Sequence, residues 1–476
     1  MTAALALRQR RSTAAATNPA VAALRVYQHE AIDWLLNTTS LNHNRFLVLD
    51  PGLGKTAIAI RAAYLAGAQN VLVICPAIAR IIWAAELIKW WPTDNILIPE
   101  LLVVQPGTSI RRPVPRPGWT VIAYSNLSIT SDPWLRRLAK LDWDVVIIDE
   151  CQYLKGASNR THAVYGGRLD APIGSLAGTT NKVWLLSGTP APNHAGELYP
   201  HLKALFREAL PAAVRTVFEF ENRFCNVQDT VYGRRITGSK ISAIPELRDR
   251  LRPHVFRRRR EDVLTDLPPL AFYDTPIDAE NTLPLPLGTA TLDNPDDDDQ
   301  LIAGLQRNEA ALATGRRALG ESKIAASAAF CEETLLQMAP NHQKLVVFAY
   351  HRSVIRGLAA ELSEFAPVVI DGSTSQRDRE IAITRFQQDV SRTQILIGQI
   401  QAAGTAITLT AAHTAVFVET SWVPAENYQA ALRIHRLGQA NACTIHFLYV
   451  PGSLDHRIMR AYRRKASELS HLFEHF

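Results

Sequence analysis

The chain has 476 residues, 47% hydrophobic and 20% charged, which suits two or three globular domains, each with its own core. No apolar run reaches the length that spans a bilayer, which argues against a membrane protein. Five scattered cysteines without CxxC spacing argue for a reducing compartment and against a structural zinc site, while a net charge of +6 and a pI near 9.1 favour a polyanionic partner.

The first 20 residues are Ala-rich and basic with no acid, and read as a disordered tail, a composition shared with mitochondrial transit peptides. From residue 21 to about 205, the runs FLVL, VLVIC, LLVV, TVIAY, DVVII and KVWLL alternate with amphipathic stretches. Nearly uninterrupted β-rich runs of this kind are expected of parallel strands covered on both faces. Residues 206–320 form a connector, with 196–270 reading as helical up to the basic segment VFRRRREDVLTDLPPL. A solvated loop with the acidic run DNPDDDDQ follows, and helical patterning resumes near Leu301. From 321 to 476 a second series appears, KLVVFAY, PVVIDG, QILIG, TAVFVE and TIHFLYV, closed by a predicted amphipathic helix from His456. The fold class is therefore α/β: two parallel-sheet lobes with a helical insertion between them.

The polar motifs sit just after strand ends, where open α/β sheets place ligands. DPGLGKT at 50–56 reads as a phosphate-cradling loop: Gly52, Leu53 and Gly54 turn the backbone so that N–H groups face phosphates. Lys55 reaches the β/γ-phosphates and Thr56 ligates magnesium, although Leu49 stands where the general pattern has its first glycine. Gln28, one helix upstream, carries an amide that can pair with an adenine edge. WDVVIIDECQ sets Asp149 as a magnesium ligand and Glu150 as the group that orients the attacking water. LLSGTP places the Ser187 and Thr189 hydroxyls at another strand end. In QAALRIHRLGQ, Arg433 and Arg436 lie three apart in a predicted helix and so share one face, from which guanidinium groups can stabilise a γ-phosphate. Arg80 and Arg352, each after a strand, are candidate contacts to a polyanionic partner.

In order and spacing these segments resemble the Swi/Snf-type ATPases of helicase superfamily two, from about Leu24 to the final helix. The match is carried by LRVYQ, DPGLGKT, VLVICP followed by a Trp-containing helix, DECQYLKG, LLSGTPAPN and TSWVPAENYQAALRIHRLGQ. VFRRRREDVLTDLPP is similar to the arginine-rich segment before that family's linker. VVFAYHRSV with IDGSTSQRDRE looks closest to the annealing-helicase (Harp-like) branch, and the resemblance is to the motor alone.

The resemblance implies two RecA-like lobes that use ATP and Mg2+, with nucleotide roles for Gln28, Gly52, Gly54, Lys55, Thr56, Asp149, Glu150, Arg433 and Arg436. It implies coupling roles for Gln152, Ser187, Thr189 and Gln439, and DNA contacts at Arg80, Arg352 and Gln401. Gln152 stands where the family usually has His, Gln401 where it has Ser or Thr, and Ala406 where it has Gly. The expected activity is an ATP-dependent translocase on double-stranded or branched DNA that remodels forks or junctions. A strand-separating DNA or RNA helicase is the first alternative, and a nucleotide-regulated DNA-binding or protein-displacing factor is another. A monomer in a bacterial or virus-infected cytoplasm or in a nucleus is expected, with single-strand-binding or replication and repair proteins as candidate partners.

Overall fold

A computed structural model describes residues 24–37, 43–77, 79–92, 98–105, 107–127, 133–167, 175–230, 233–264, 267–278, 309–338, 344–388, 392–403, 407–421, 424–436, 438–457 and 459–460. The chain divides into two compact units whose boundary in sequence lies between residues 263 and 264.

The first unit is built on seven strands: β1 (Arg45–Leu49), β2 (Asn70–Cys75), β3 (Glu100–Val103), β4 (Gly118–Ala123), β5 (Val145–Asp149), β6 (Val183–Ser187) and β9 (Val255–Arg258). They run in the order β3-β4-β2-β5-β6-β1-β9, with every pairing parallel. All five residues of β1 and of β5 are buried, as a central parallel strand covered on both faces requires. Successive side chains leave opposite faces, so Phe46 and Val48 join Leu72, Ile74, Val146, Ile148 and Leu185 in one core, while Leu47 and Leu49 are buried on the other. Helices α1 (Val26–Leu36), α2 (Lys55–Leu65) and α3 (Ala79–Trp90) belong to this unit, and α2 is buried on nearly all sides from Ala57 to Ala63.

The stretch expected to be helical is more mixed. Helices α4 (Tyr199–Leu205), α5 (Val217–Phe224) and α6 (Ile244–Leu251) do form. Between the last two, however, β7 (Cys225–Thr230) and β8 (Gly233–Ser239) pair as an antiparallel hairpin. The basic run at 255–258 is a strand, β9, because its backbone completes the open edge of β1. Residues 206–263 thus belong to the first compact unit.

The second unit carries β10 (Leu270–Pro276), β11 (Leu345–Ala349), β12 (Val368–Ile370), β13 (Ile395–Gln399), β14 (Thr414–Phe417) and β15 (Cys443–Tyr449). They form an all-parallel sheet in the order β10-β15-β14-β11-β13-β12. The pleat divides β11 cleanly: Val346 and Phe348 enter one core with Phe417 and Ile445, and Leu345, Val347 and Ala349 enter the other with Ile397 and Val416. Helices α7 (Glu309–Ser322), α8 (Ile324–Gln337), α9 (Arg352–Glu361), α10 (Gln376–Gln387) and α11 (Pro424–Ala431) flank it. Between α7 and α8 the ammonium of Lys323, fully buried, meets Asp455 Oδ2 at 2.5 Å and donates to the carbonyls of Val418 and Leu448.

No helix among the described residues is long and apolar enough to cross a membrane. The basic tail, the acidic run, Ala406 and most of the C-terminal helix segment lie outside the described residues.

Candidate active site

Three motifs leave the C-terminal ends of neighbouring strands in the order β5-β6-β1, and that adjacency assembles the site. After β1 the loop rises through Gly52 at φ 88° and Gly54 at φ 81°, left-handed conformations that glycine adopts without strain. A Cβ on Gly54 would also sit 2.4 Å from Gln28 Nε2 and push that amide aside. Lys55 opens α2 and donates from Nζ to Leu49 O at 2.9 Å, with Thr56 beside it in the first turn. Gly188, after β6, closes over the loop: a Cβ there would lie 3.1 Å from Pro51 and 3.2 Å from Leu49 O.

At the end of β5, Asp149 is buried and accepts a hydrogen bond from Trp83 Nε1 at 2.9 Å. Burial first, then the neighbouring Glu150 charge, push its carboxyl up to about 7, against the Trp83 bond and the Lys55 ammonium. Glu150 adopts φ 52°, ψ 55°, a left-handed conformation costly for a side chain of its kind. Glu150 is half-buried, whereas Asp149 is buried.

The carboxylate connects to the β6 loop through Gln152. Gln152 Nε2 donates to Glu150 Oε2 at 2.8 Å, and Gln152 Oε1 accepts from Ser187 Oγ at 2.7 Å. Ser187 Oγ in turn accepts from Thr189 N at 3.0 Å. A glutamine amide is both donor and acceptor, so Gln152 by itself can join a carboxylate to a hydroxyl.

These residues fit a magnesium-bound nucleoside triphosphate. The loop turns are those of a phosphate cradle, and Thr189 Oγ1 is a buried hydroxyl without a hydrogen-bond partner beside it. Among the described residues no group of three His, Cys, Asp or Glu side chains could hold a metal. A magnesium ion here would therefore rest on Thr56, Asp149 and the phosphates themselves, the usual arrangement for a cation that dehydrates reluctantly. Gln28 Nε2 donates to Leu53 O at 3.1 Å and its Oε1 accepts from Arg25 N at 2.9 Å, so its amide braces the loop and keeps a second N–H and a second lone pair.

In the second unit, Arg433 and Arg436 do not share a helix face. Helix α11 ends at Ala431, and the chain tightens into i→i−3 turns, with Arg433 N bonded to Ala430 O and Arg433 O taken by Leu409 N. Arg433 is buried, whereas Arg436 is half-buried and donates from Nη1 to Thr408 Oγ1 at 3.0 Å. Gln439 is a clamp: its Nε2 donates to the carbonyls of Thr410, Ala412 and Ile434, and its Oε1 accepts from Asn441 N. Arg352 is about half exposed and lies 3.6 Å from Asp371. Gln401 is exposed, while its neighbour Gln399, which sequence reasoning missed, joins Gly372 N to Tyr350 O across the strand ends. Arg80, in the first unit, donates to Ala77 O at 3.0 Å and Val104 O at 2.7 Å.

Three further residues escaped the sequence reading. Trp83 was visible only as part of a Trp-containing helix, Tyr124 supports Asp149 O through its hydroxyl at 2.7 Å, and Arg260 reaches the phosphate loop from more than 200 positions away.

Residues 27–273 match the SNF2-related domain family and residues 326–438 the helicase conserved C-terminal domain family. The bovine DNA annealing helicase and endonuclease ZRANB3 is 31% identical over 432 residues, covering 89% of this chain and 38% of that protein. The bovine SWI/SNF-related matrix-associated actin-dependent regulator of chromatin subfamily A-like protein 1 is 30% identical over 88% of this chain and 42% of that protein. The chain thus spans about two fifths of the length of these curated relatives. A solved Sulfolobus solfataricus SWI2/SNF2 ATPase core in complex with dsDNA aligns over 95% of this chain and 97% of its own, with 20% identity and a TM-score of 0.43. With its SNF2-related domain alone matching more than half of the residues, the chain belongs to the SNF2-related family of helicase-like ATPases.

Proposed function

We propose that the protein hydrolyses ATP in response to DNA, moves along duplex DNA, and remodels forks or junctions by annealing or branch migration. The observation that carries this reading is the unbroken line from Glu150 through Gln152 to Ser187 and Thr189, which ties the water-orienting carboxylate to a second loop of the same sheet edge. A motor needs such a link, because hydrolysis must answer to what another part of the protein has bound.

In this reading Lys55 and the N–H groups around Gly52 and Gly54 hold the β- and γ-phosphates, and Thr56 and Asp149 hold the metal. Bound magnesium supplies neutralisation of the phosphate charge. Glu150 orients the attacking water, with Gln152 fixing one of its oxygens and leaving the other to the water. Arg433 and Arg436 are assigned to the charge that develops on the γ-phosphate. DNA contacts are assigned to backbone phosphates, with Arg352 and Gln401 as candidates; Arg80 is the weaker candidate because two carbonyls already take its donors. The names of the relatives, an annealing helicase among them, support DNA as the substrate class.

The test is ATP turnover measured with single-stranded, duplex, forked and four-way DNA and with RNA, over a range of salt. Duplex or branched DNA is expected to stimulate most, with stimulation falling steeply as salt rises because phosphate contacts release counterions. Lys55→Ala and Glu150→Gln are expected to abolish turnover in a folded protein. Arg433→Ala and Arg436→Ala are expected to lower kcat more than nucleotide affinity. Turnover indifferent to every nucleic acid refutes the translocase, and stimulation by RNA alone refutes the choice of DNA.

A further inference from the structure

A run of four arginines, Arg257–Arg260, invites assignment to nucleic-acid phosphates, yet each has a partner inside the first unit. Arg258 Nη2 meets Glu30 Oε2 at 2.8 Å, and Arg259 pairs with Glu261 and Asp262. The other two converge on the phosphate loop. Arg257 Nη1 lies 2.9 Å from Asp50 Oδ1, a close charge pair with both side chains largely buried. Arg260 N donates to Asp50 Oδ2 at 2.9 Å, and Arg260 Nη1 donates to Pro51 O at 3.1 Å. The same Nη1 would be 3.1 Å from a Cβ on Gly52, and only 5% of Arg260 is exposed.

The chemistry of a phosphate cradle explains why donors belong there. A loop that aims its N–H groups inward at an anion turns carbonyls outward, and buried carbonyls need partners. Leu53 O is taken by Tyr27 Oη and Gln28 Nε2, both at 3.1 Å, and Pro51 O by Arg260. Asp50 adds a second demand. Its carboxylate opens the loop and would repel a triphosphate unless a cation offsets it, and Arg257 is that cation.

We infer that Arg260 and Arg257 are positioning residues of the phosphate loop, Arg260 fixing its shape from behind through Pro51 and Arg257 cancelling the Asp50 charge beside the bound phosphates. The inference rests on the assignment of this loop to ATP.

Titrating the full-length protein with a fluorescent ATP analogue tests it, with turnover, DNA affinity and thermal unfolding followed alongside. Arg260→Met removes the donors and keeps the bulk; it is expected to weaken nucleotide binding about tenfold, the equivalent of one charge-assisted hydrogen bond. KM should rise more than kcat falls, DNA affinity should stay unchanged, and Arg260→Lys should recover part of the loss. Arg257→Gln should weaken binding several-fold, and adding Asp50→Asn should restore it, a rescue that a merely structural arginine would not show. Nucleotide affinity unchanged in Arg260→Met, or no rescue in the Arg257→Gln/Asp50→Asn pair, overturns the inference. Should Arg260→Met fail to fold, the rescue pair decides alone. Absence of nucleotide binding in the unaltered protein instead refutes the ATP reading itself.

Discussion

Replacing Gln152 by alanine removes both hydrogen bonds that join Glu150 to the β6 loop. The first, at 2.8 Å, is made to a carboxylate and the second, at 2.7 Å, to a hydroxyl. Bonds to charged groups contribute about 1.5–3 kcal/mol and neutral ones about 0.5–1.5 kcal/mol, so the bridge is worth about 2–4.5 kcal/mol. Only the part realised in the transition state reaches the rate, and at about 1.4 kcal/mol per factor of ten a fall of about 10- to 100-fold in DNA-stimulated kcat is expected. Nucleotide affinity should change little, because Lys55, Thr56 and Asp149 are untouched. Ser187→Ala breaks the same bridge from the other side, so the double variant should cost little more than Gln152→Ala alone. Gln152→His keeps one donor and one acceptor and should retain most activity. Full DNA-stimulated turnover in Gln152→Ala, or independent additive losses in the double variant, would refute the bridge as a coupling element.

Asp149→Asn should stabilise the protein without metal or nucleotide. The folded carboxyl titrates near 7 against a usual 3.8, so the folded state holds the extra proton in between, and the penalty grows as pH rises to about 7. The variant should exceed the original most at pH 8, with the gap closing toward pH 4; denaturant melts in EDTA showing a gap independent of pH would contradict this. Gly54→Ala should abolish nucleotide binding in a folded chain, since φ 81° strains any side chain and a Cβ would push aside the Gln28 amide that braces Leu53 O; calorimetric ATP binding like that of the original would count against it. Asp455→Ala strands the buried Lys323 ammonium and should cost about 3–5 kcal/mol. An unchanged denaturant midpoint for the second unit would show the pair to be dispensable.

Local sequence determined the parallel strands, because a strand covered on both faces must be apolar almost throughout, and β1, β2, β5, β6, β11 and β13 all read so. The segments proposed as the phosphate loop and the Asp149–Glu150 pair were also legible locally, because the chemistry proposed for them depends on neighbours in the chain. What local sequence could not supply were interactions that depend on which strands lie side by side. The basic run at 255–258 looked like a helix end, and only the open edge of β1 makes it a strand and delivers Arg257 and Arg260 to the loop. The QAALRIHR strip looked like one helix face, and only the bonds of Leu409 N to Arg433 O and of Gln439 Nε2 to Ile434 O show the tightened turn that follows the helix end at Ala431. Gln152 looked like a departure from the family, and only the adjacency of β5 and β6 shows it as a bridge, since a hydrogen bond requires an approach below about 3.5 Å that 35 positions of sequence do not disclose.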